Sequence, residues 1–224
     1  MVPLAQITQI IPATADPAAD CAYCPRLAAF RCANREAEPN WHNAPVASFG
    51  PPDARLLIVG LAPGMRGANR TARPFTGDWA GDLLYQTISR FGFSRGTYDG
   101  RADDGLELID CRITNAVRCV PPQNKPKGVE IHSCAPFLAR EISELPRLKV
   151  VLALGLIAHG TVLSILEQRK SAFRFAHGAV HRLHNKLWLA DSYHCSRYNT
   201  NTGRLTTEMF EAVFVGIRRQ LDRA

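Results

Sequence analysis

The sequence is short of lysine. Only five occur, at positions 125, 127, 149, 170 and 186, so arginine supplies most of the 27 basic side chains set against 20 acidic ones. The resulting formal charge of +7 favours a polyanionic partner, because neutralising phosphates releases counterions. No apolar run approaches the roughly 18 residues that a membrane-spanning helix needs. The opening MVPLAQITQIIPATADPAAD lacks the basic start and compact apolar centre of a secretory signal, so the cytoplasm is the expected compartment. Two nucleotide-binding signatures are also missing. After the apolar run ARLLIVG there is neither the Gly-Lys-Ser/Thr of a Walker loop nor a G-x-G-x-x-G fingerprint. Internal repeats and low-complexity tracts are absent as well.

What is present suits one α/β domain: 224 residues, 46% of them apolar, can bury a sizeable core. Residues 1–20, rich in Ala, Pro and Asp, read as a loose leader, and residues 21–224 as a single domain. Residues 21–53 carry Cys21, Cys24 and Cys32 and end in the turn-rich ASFGPPDA. Strand and helix signals then alternate. LLIVG (56–60), LELIDCRITNAVRC (106–119), LKVVLALG (148–155) and KLWLADSYH (186–194) read as strands. Helices are expected from about Trp79 to Arg90, with Asp78 as N-cap and Leu83, Leu84 and Ile88 inward, then from Val129 to Ser143 and from Leu156 to Glu167. The closing LTTEMFEAVFVGIRRQL has an apolar face of Met209, Phe210, Val213, Phe214 and Ile217. Strands separated by helices imply a parallel sheet with right-handed crossovers. Ligands of such sheets bind beyond the carboxyl ends of the strands, which singles out the loops 60–78, 114–127, 155–160 and 194–204.

The first of these loops begins the stretch GLAPGMRGANRTARPFTGDWAG. Gly60, Gly64 and Gly67 permit close backbone approach to a ligand, and Arg66, Arg70 and Arg73 place positive charge around it. Phe75 lies in a polar segment just before a helix, where its ring either packs beneath the loop or stacks on a nucleobase. Asp78 caps that helix, a role compatible with catalysis. Asn115, in ITNAVRC, offers an amide donor and acceptor side by side, suited to a base edge as well as to a turn. His194, in DSYHCS, is a candidate donor to a developing anion. Neighbours on a strand point to opposite faces, so pairing of His194 with Cys195 as a nucleophile is not expected. Ser196, Arg197, Asn199, Asn201, Thr202 and Arg204 fill the last loop with phosphate-type donors.

In a reducing compartment, seven cysteines suggest metal or chemistry rather than disulfides. Cys21 and Cys24 form one C-x-x-C pair, whereas Cys119 and Cys134 have fourteen residues between them. A zinc ribbon would use two tight pairs, and an iron–sulfur cluster tolerates a wide one because it is a larger body to encircle. Zinc, a cluster and free core cysteines all stay open on spacing alone. Cys32 and His42 are rival ligands, and Cys111 reads as a core residue.

Taken together, GLAPGMRGANRTARPFTGD, TNAVRC and SYHCSRYNTNTGRLT resemble the three signature segments of the family 5 (type B) uracil-DNA glycosylases of bacteria and archaea. The resemblance runs from about Cys21 to the last helix. It implies a three-layer α/β/α fold with a central four-stranded parallel sheet. It also implies hydrolysis of the N-glycosidic bond of uracil, hypoxanthine or other deaminated bases in DNA, by a monofunctional enzyme that initiates base excision repair. The partner would be DNA in the bacterial or archaeal nucleoid rather than a membrane, and the chain would act as a monomer. Cys21, Cys24, Cys119 and Cys134 match the ligands of a [4Fe-4S] cluster. Phe75 matches the ring that stacks on the extruded base, and Asn115 and His194 fall where the family contacts the base and its leaving group. Other glycosylase families place a polar residue where Ala62 stands here; family 5 lacks it, and the Asp of FTGD, Asp78, is its candidate for activating water. Gly60, Ala62 and Met65 would line the base pocket, and Arg66, Arg70, Arg197, Asn199, Asn201 and Arg204 would face the DNA. The alternative is a non-catalytic iron–sulfur protein of the same fold that binds damaged DNA.

Overall fold

The structure, a computed structural model, describes residues 15–184 and 186–223. Most of the expected leader, residues 1–14, lies outside them. Its last residues are tied down: Asp16 accepts hydrogen bonds from the Ser48 amide and from the Arg118 guanidinium.

Helix α1 (Pro25–Ala37) comes first, with proline at a helix start where its missing N–H costs nothing. Strand β1 (Leu56–Gly60) leads to the short α2 (Ala68–Thr71) and then to α3 (Trp79–Arg90). A two-residue pair, β2 (Ser94–Arg95) and β3 (Glu107–Leu108), precedes β4 (Cys111–Asn115). Then follow α4 (Gly128–Glu144), β5 (Val150–Leu154), α5 (Leu156–Ile165), β6 (Val180–Arg182), β7 (Trp188–Ser192), α6 (Arg197–Asn201) and α7 (Thr207–Asp222).

The main sheet has the order β4-β1-β5-β7-β6. Its first four strands are parallel, as expected, and β6 adds an antiparallel edge to β7 that the sequence reading does not contain. Side chains alternate across the sheet with period two. Leu56 and Ile58 face a core layer built with Leu84 and Ile88 of α3 and Phe210, Phe214 and Ile217 of α7. Leu57 and Val59 face the opposite layer, with Leu138 and Ile142 of α4 and Ala158 and Val162 of α5. Helices on both faces complete the three-layer α/β/α arrangement.

Three local expectations need correction. The strand expected over 106–119 is broken, because Asp110 takes a left-handed φ of 56° and turns its carboxylate onto the backbone N–H and guanidinium of Arg55. The polar loop after β7 contains helix α6, capped by the Ser196 side chain. Arg73 is a third correction. It is buried rather than facing a ligand: its guanidinium makes paired 2.7 Å hydrogen bonds to Asp104 and lies over the rings of Phe49, Tyr85 and Tyr98.

Arg73 therefore pins the middle of the 60–78 loop to the body of the fold. The same pairing holds the Asp104 carboxyl down at about 2, well below its usual range. A depressed carboxyl stabilises the fold above its unfolded pKa and loses that contribution as pH falls through the folded value, here between about pH 4 and pH 2. Arg73→Ala is expected to reduce unfolding free energy in urea by about 3–5 kcal/mol, because it leaves a buried charge without its partner. A loss below 1 kcal/mol would show that the pair is not a structural anchor.

Candidate active site

The carboxyl ends of β1, β4, β5 and β7 lie along one edge of the sheet, and the polar residues gather there. β1 and β4 end in register, Gly60 opposite Asn115. Nothing larger than glycine fits at the first position: a Cβ on Gly60 would meet Asn115 Oδ1 and come within 2.6 Å of Phe75 Cζ. Asn115 and Phe75 thus converge on the same spot from two loops. Asn115 is buried, and its Oδ1 has no hydrogen-bond partner among the described residues. A buried amide oxygen left bare costs about 1–3 kcal/mol, so its presence points to a ligand donor.

Phe75 has φ +53°, a conformation that bulky residues rarely adopt. The strain is held in place locally. The Tyr98 hydroxyl donates to the Phe75 carbonyl, and Tyr85 donates to the carbonyl of Pro74. The ring is only 6% exposed and belongs to the core layer on one side; on the other it stacks against His194, centroids 5.8 Å apart and planes 29° apart. Of the two sequence readings, packing beneath the loop is observed, and the ring's free contact is with the His194 imidazole.

His194 follows β7 and is half-buried. Burial lowers its pKa to about 4, so the ring is neutral at physiological pH. Its carbonyl accepts from the Asn199 side chain at 2.8 Å, so Asn199 holds the histidine loop rather than projecting freely outward. Asp78 caps α3 by accepting from Gly81 N at 3.2 Å. Its other oxygen rests on the backbone of the glycine loop: a Cβ on Gly64 would stand 2.8 Å from Oδ2, and one on Gly67 would overlap it. Burial, helped by nearby Asp82, raises the Asp78 pKa against the opposing pull of the Gly81 and Ala80 amides.

The remaining expected residues divide. Met65 touches the Asn69 side chain, and Ala62 packs toward the cysteine cluster. Arg66, Arg70, Arg197, Asn201 and Arg204 are exposed. Arg197 lies over Trp79, and Arg204 over Tyr193 at 4.6 Å, so both guanidinium groups are oriented by aromatic rings. Sequence reasoning missed Trp79 and Tyr198, which are 50% and 72% exposed beside the site. Trp79 Nε1 donates to Thr200 Oγ1, clipping α6 to the start of α3. An aromatic within a polar loop was the available signal for Tyr198, the same signal that marked Phe75.

Residues 47–217 match the family model described as the uracil DNA glycosylase superfamily. This chain belongs to that superfamily. A protein named Type-5 uracil-DNA glycosylase from Thermus thermophilus is 45% identical over 205 residues, covering 89% of this chain and 93% of the relative. Proteins of the same name from Pyrobaculum aerophilum and Mycobacterium leprae are 39% and 42% identical, each covering 87% of this chain and 86% and 88% of their own length. Within the superfamily fold, the cysteines occupy a cavity behind the glycine loop. Cys21, Cys24, Cys119 and Cys134 line it, with Leu27, Arg31 and Phe137. Cys32 is exposed on α1, Cys111 and Cys195 are buried elsewhere, and His42 contacts the carbonyl of Pro45, so none of these joins the set. Among the described residues, no helix is long and apolar enough to cross a membrane.

Asp78→Asn tests whether desolvation dominates at the capping carboxylate. Asparagine caps a helix as well as aspartate does. A carboxyl with a raised folded pKa contributes favourably below its unfolded pKa, and that contribution is lost as pH rises through the folded value. At pH 7 the variant should therefore melt at a higher temperature than the wild type. A lower Tm would mean that the charged cap outweighs its burial.

Proposed function

We propose that this chain is a monofunctional DNA glycosylase that hydrolyses the N-glycosidic bond of uracil in DNA, and of other deaminated bases such as hypoxanthine, initiating base excision repair as a monomer. The observation that carries the reading is the bare Asn115 Oδ1, buried where Gly60, Phe75 and His194 meet. Uracil presents a donor at N3 to such an acceptor; cytosine presents a lone pair there, so the amide discriminates against it when held in this orientation. The relatives' name supports the choice of uracil.

The target bond is inaccessible in stacked duplex, so the nucleotide must leave the helix, at a cost of about a few kcal/mol that is least for a mispaired base. The exposed arginines hold phosphates, and Tyr198 on α6 fills the space the base vacates. The base enters against Phe75, and Asn115 takes its N3–H. As the bond lengthens, negative charge grows on the base and positive charge on the sugar. His194, neutral because its pKa is about 4, donates an N–H to the departing base without needing to transfer a proton. Asp78, close to the glycine loop, in its ionised form orients water and offsets the charge on the sugar. Asp78 must be ionised for this, so the rate should fall as pH drops through its raised pKa.

Cys21, Cys24, Cys119 and Cys134 suit a [4Fe-4S] cluster. Each is accounted for by that body: they line one cavity, Arg31 Nη1 lies 3.3 Å from Cys119 Sγ, and the Arg118 amide lies 3.3 Å from Cys134 Sγ. Such N–H···S bonds tune cluster ligands. Burial and the neighbouring thiols push Cys24 up to about 11 and Cys134 up to about 12, so a cation is needed for all to ionise together. A single zinc would draw its four sulfurs to within about 4 Å of one another. Only His159, His181 and Asp191 bring three ligand atoms within 4.8 Å among the described residues, and the thiols are not gathered so tightly. When bound, the cluster is a brace between the N-terminal segment and the loop after β4, since hydrolysis transfers no electron.

Incubation with a uracil-containing duplex followed by alkaline cleavage of abasic sites should reveal strand breaks, undiminished by EDTA. Asp78→Asn should lower the single-turnover rate about 100- to 1,000-fold with DNA affinity kept. Intact duplex under enzyme excess would instead favour the damage-binding protein without catalysis. Purified protein should be brown with about four irons per chain; colourless protein with one zinc would overturn the cluster.

A further inference from the structure

One buried polar group plays no part in the scheme above. Asp191 on β7 is fully buried, three residues before His194. Its Oδ1 lies 2.7 Å from His159 Nδ1, and its Oδ2 lies 3.2 Å from His181 Nε2. His159 stands on the first turns of α5, and its second ring nitrogen, Nε2, lies 2.9 Å from the carbonyl of Phe173.

These contacts leave little freedom in where the protons are. A carbonyl oxygen only accepts, so His159 Nε2 carries a hydrogen. Nδ1 then faces a carboxylate oxygen at 2.7 Å, and two lone pairs do not approach so closely without a cation between them. A metal ion would hold its nitrogen and oxygen ligands at about 2.0–2.2 Å from itself and spread them over about 3.3 Å in a tetrahedral site. The observed 2.7 Å is the length of a charge-assisted hydrogen bond. Imidazole is a stronger base than a carboxylate by about two to three pKa units, so the proton resides on the ring.

We infer that His159 is an imidazolium clamped between the Asp191 carboxylate and the Phe173 carbonyl, and that this clamp is a positioning device for the strand end that presents His194. The clamp joins α5, the segment before β6, and β7. The neighbouring backbone completes the fixation. Gly155 N donates to the Ser192 carbonyl, Gly178 N donates to the Asp191 carbonyl, and Tyr193 N donates to His177 Nδ1. The charged and titratable groups facing His159 are Asp191 on β7, His181 on β6 and Lys170 on the turn after α5. Burial and Lys170 work against the charged ring, whereas Asp191 and the Phe173 carbonyl work for it and prevail, raising its pKa. A histidine with a raised folded pKa stabilises the fold below its unfolded pKa and loses that contribution as pH rises through the folded one. The clamp should therefore open on the alkaline side.

The kinetic consequence rests on the glycosylase reading; the protonation state and the rigidity of the strand end do not. In selectively ¹⁵N-histidine-labelled protein, both ring nitrogens of His159 should be protonated at pH 7.5 and become inequivalent only in alkaline solution. One bare nitrogen at pH 7.5 overturns the inference. So does a stoichiometric divalent metal, separate from iron, that Asp191→Asn removes. His159→Phe keeps the ring and removes both donors. It should speed amide hydrogen exchange at Tyr193–Cys195, and unchanged exchange overturns the positioning role. With uracil-containing duplex it should lower kcat about 10- to 100-fold, as a small misplacement of a reacting group does, with KM and iron content kept. The alkaline fall of the wild-type rate should be missing from this variant. If wild-type protein releases no base at all, the glycosylase reading fails while ring protonation and hydrogen exchange still decide the clamp.

Discussion

A Cβ at position 60 would collide with the Asn115 amide oxygen and the Phe75 ring, and the site is built on that constraint. Because residue 60 is glycine, the Asn115 amide and the edge of Phe75 can reach the same point at the carboxyl edge of the sheet. Glycines 64 and 67 repeat the principle one turn later, letting the chain lie directly on the Asp78 carboxylate. Removing side chains from the loop brings backbone and functional groups within contact distance. Each of these groups then loses water.

That loss is costly to the fold. A bare amide oxygen, a desolvated carboxylate, a half-buried imidazole with a lowered pKa and an aromatic residue at positive φ are all unfavourable in isolation. Strong local anchors surround them. Arg73 with Asp104 holds the centre of the loop, and Asn43 donates to the carbonyls of Asn34 and Glu38 at the end of α1 while accepting from Asn69 beside Met65. Arg118 joins Glu141 and Ser48 next to the cysteine cavity. None of these anchors needs to touch a substrate. They keep the destabilised groups in place against relaxation of the protein.

Much of the fold was legible because local signals and global architecture agree. Helix α3 begins and ends where the Asp78 cap and the apolar spacing of Leu83, Leu84 and Ile88 put it. The four parallel strands were readable as short apolar runs, since strands buried on both faces carry little else. The misses lie where a side chain overrides the local pattern. Asp110 breaks an otherwise continuous strand signal by bonding Arg55, a partner distant in sequence. Edge strand β6, reading VHR, has no apolar run to announce it. Arg73 looked like its exposed neighbours Arg66 and Arg70, and the paired Asp104 carboxylate and the rings of Phe49, Tyr85 and Tyr98 distinguish it.

The sequence by itself determined the kind of protein this is. Its three motifs are contiguous strings, and chemistry encoded in contiguous residues can be read along the chain. Tertiary structure alone decided which of those residues meet, which arginine is structural, and which ionisable groups are charged. It placed Phe75 against His194, drew Cys119 and Cys134 toward Cys21 and Cys24, and set His159 against Asp191. The physical reason is that burial and pairing are properties of the neighbourhood, assembled from loops far apart in sequence, and no residue carries its solvent exposure or its partner in its own identity.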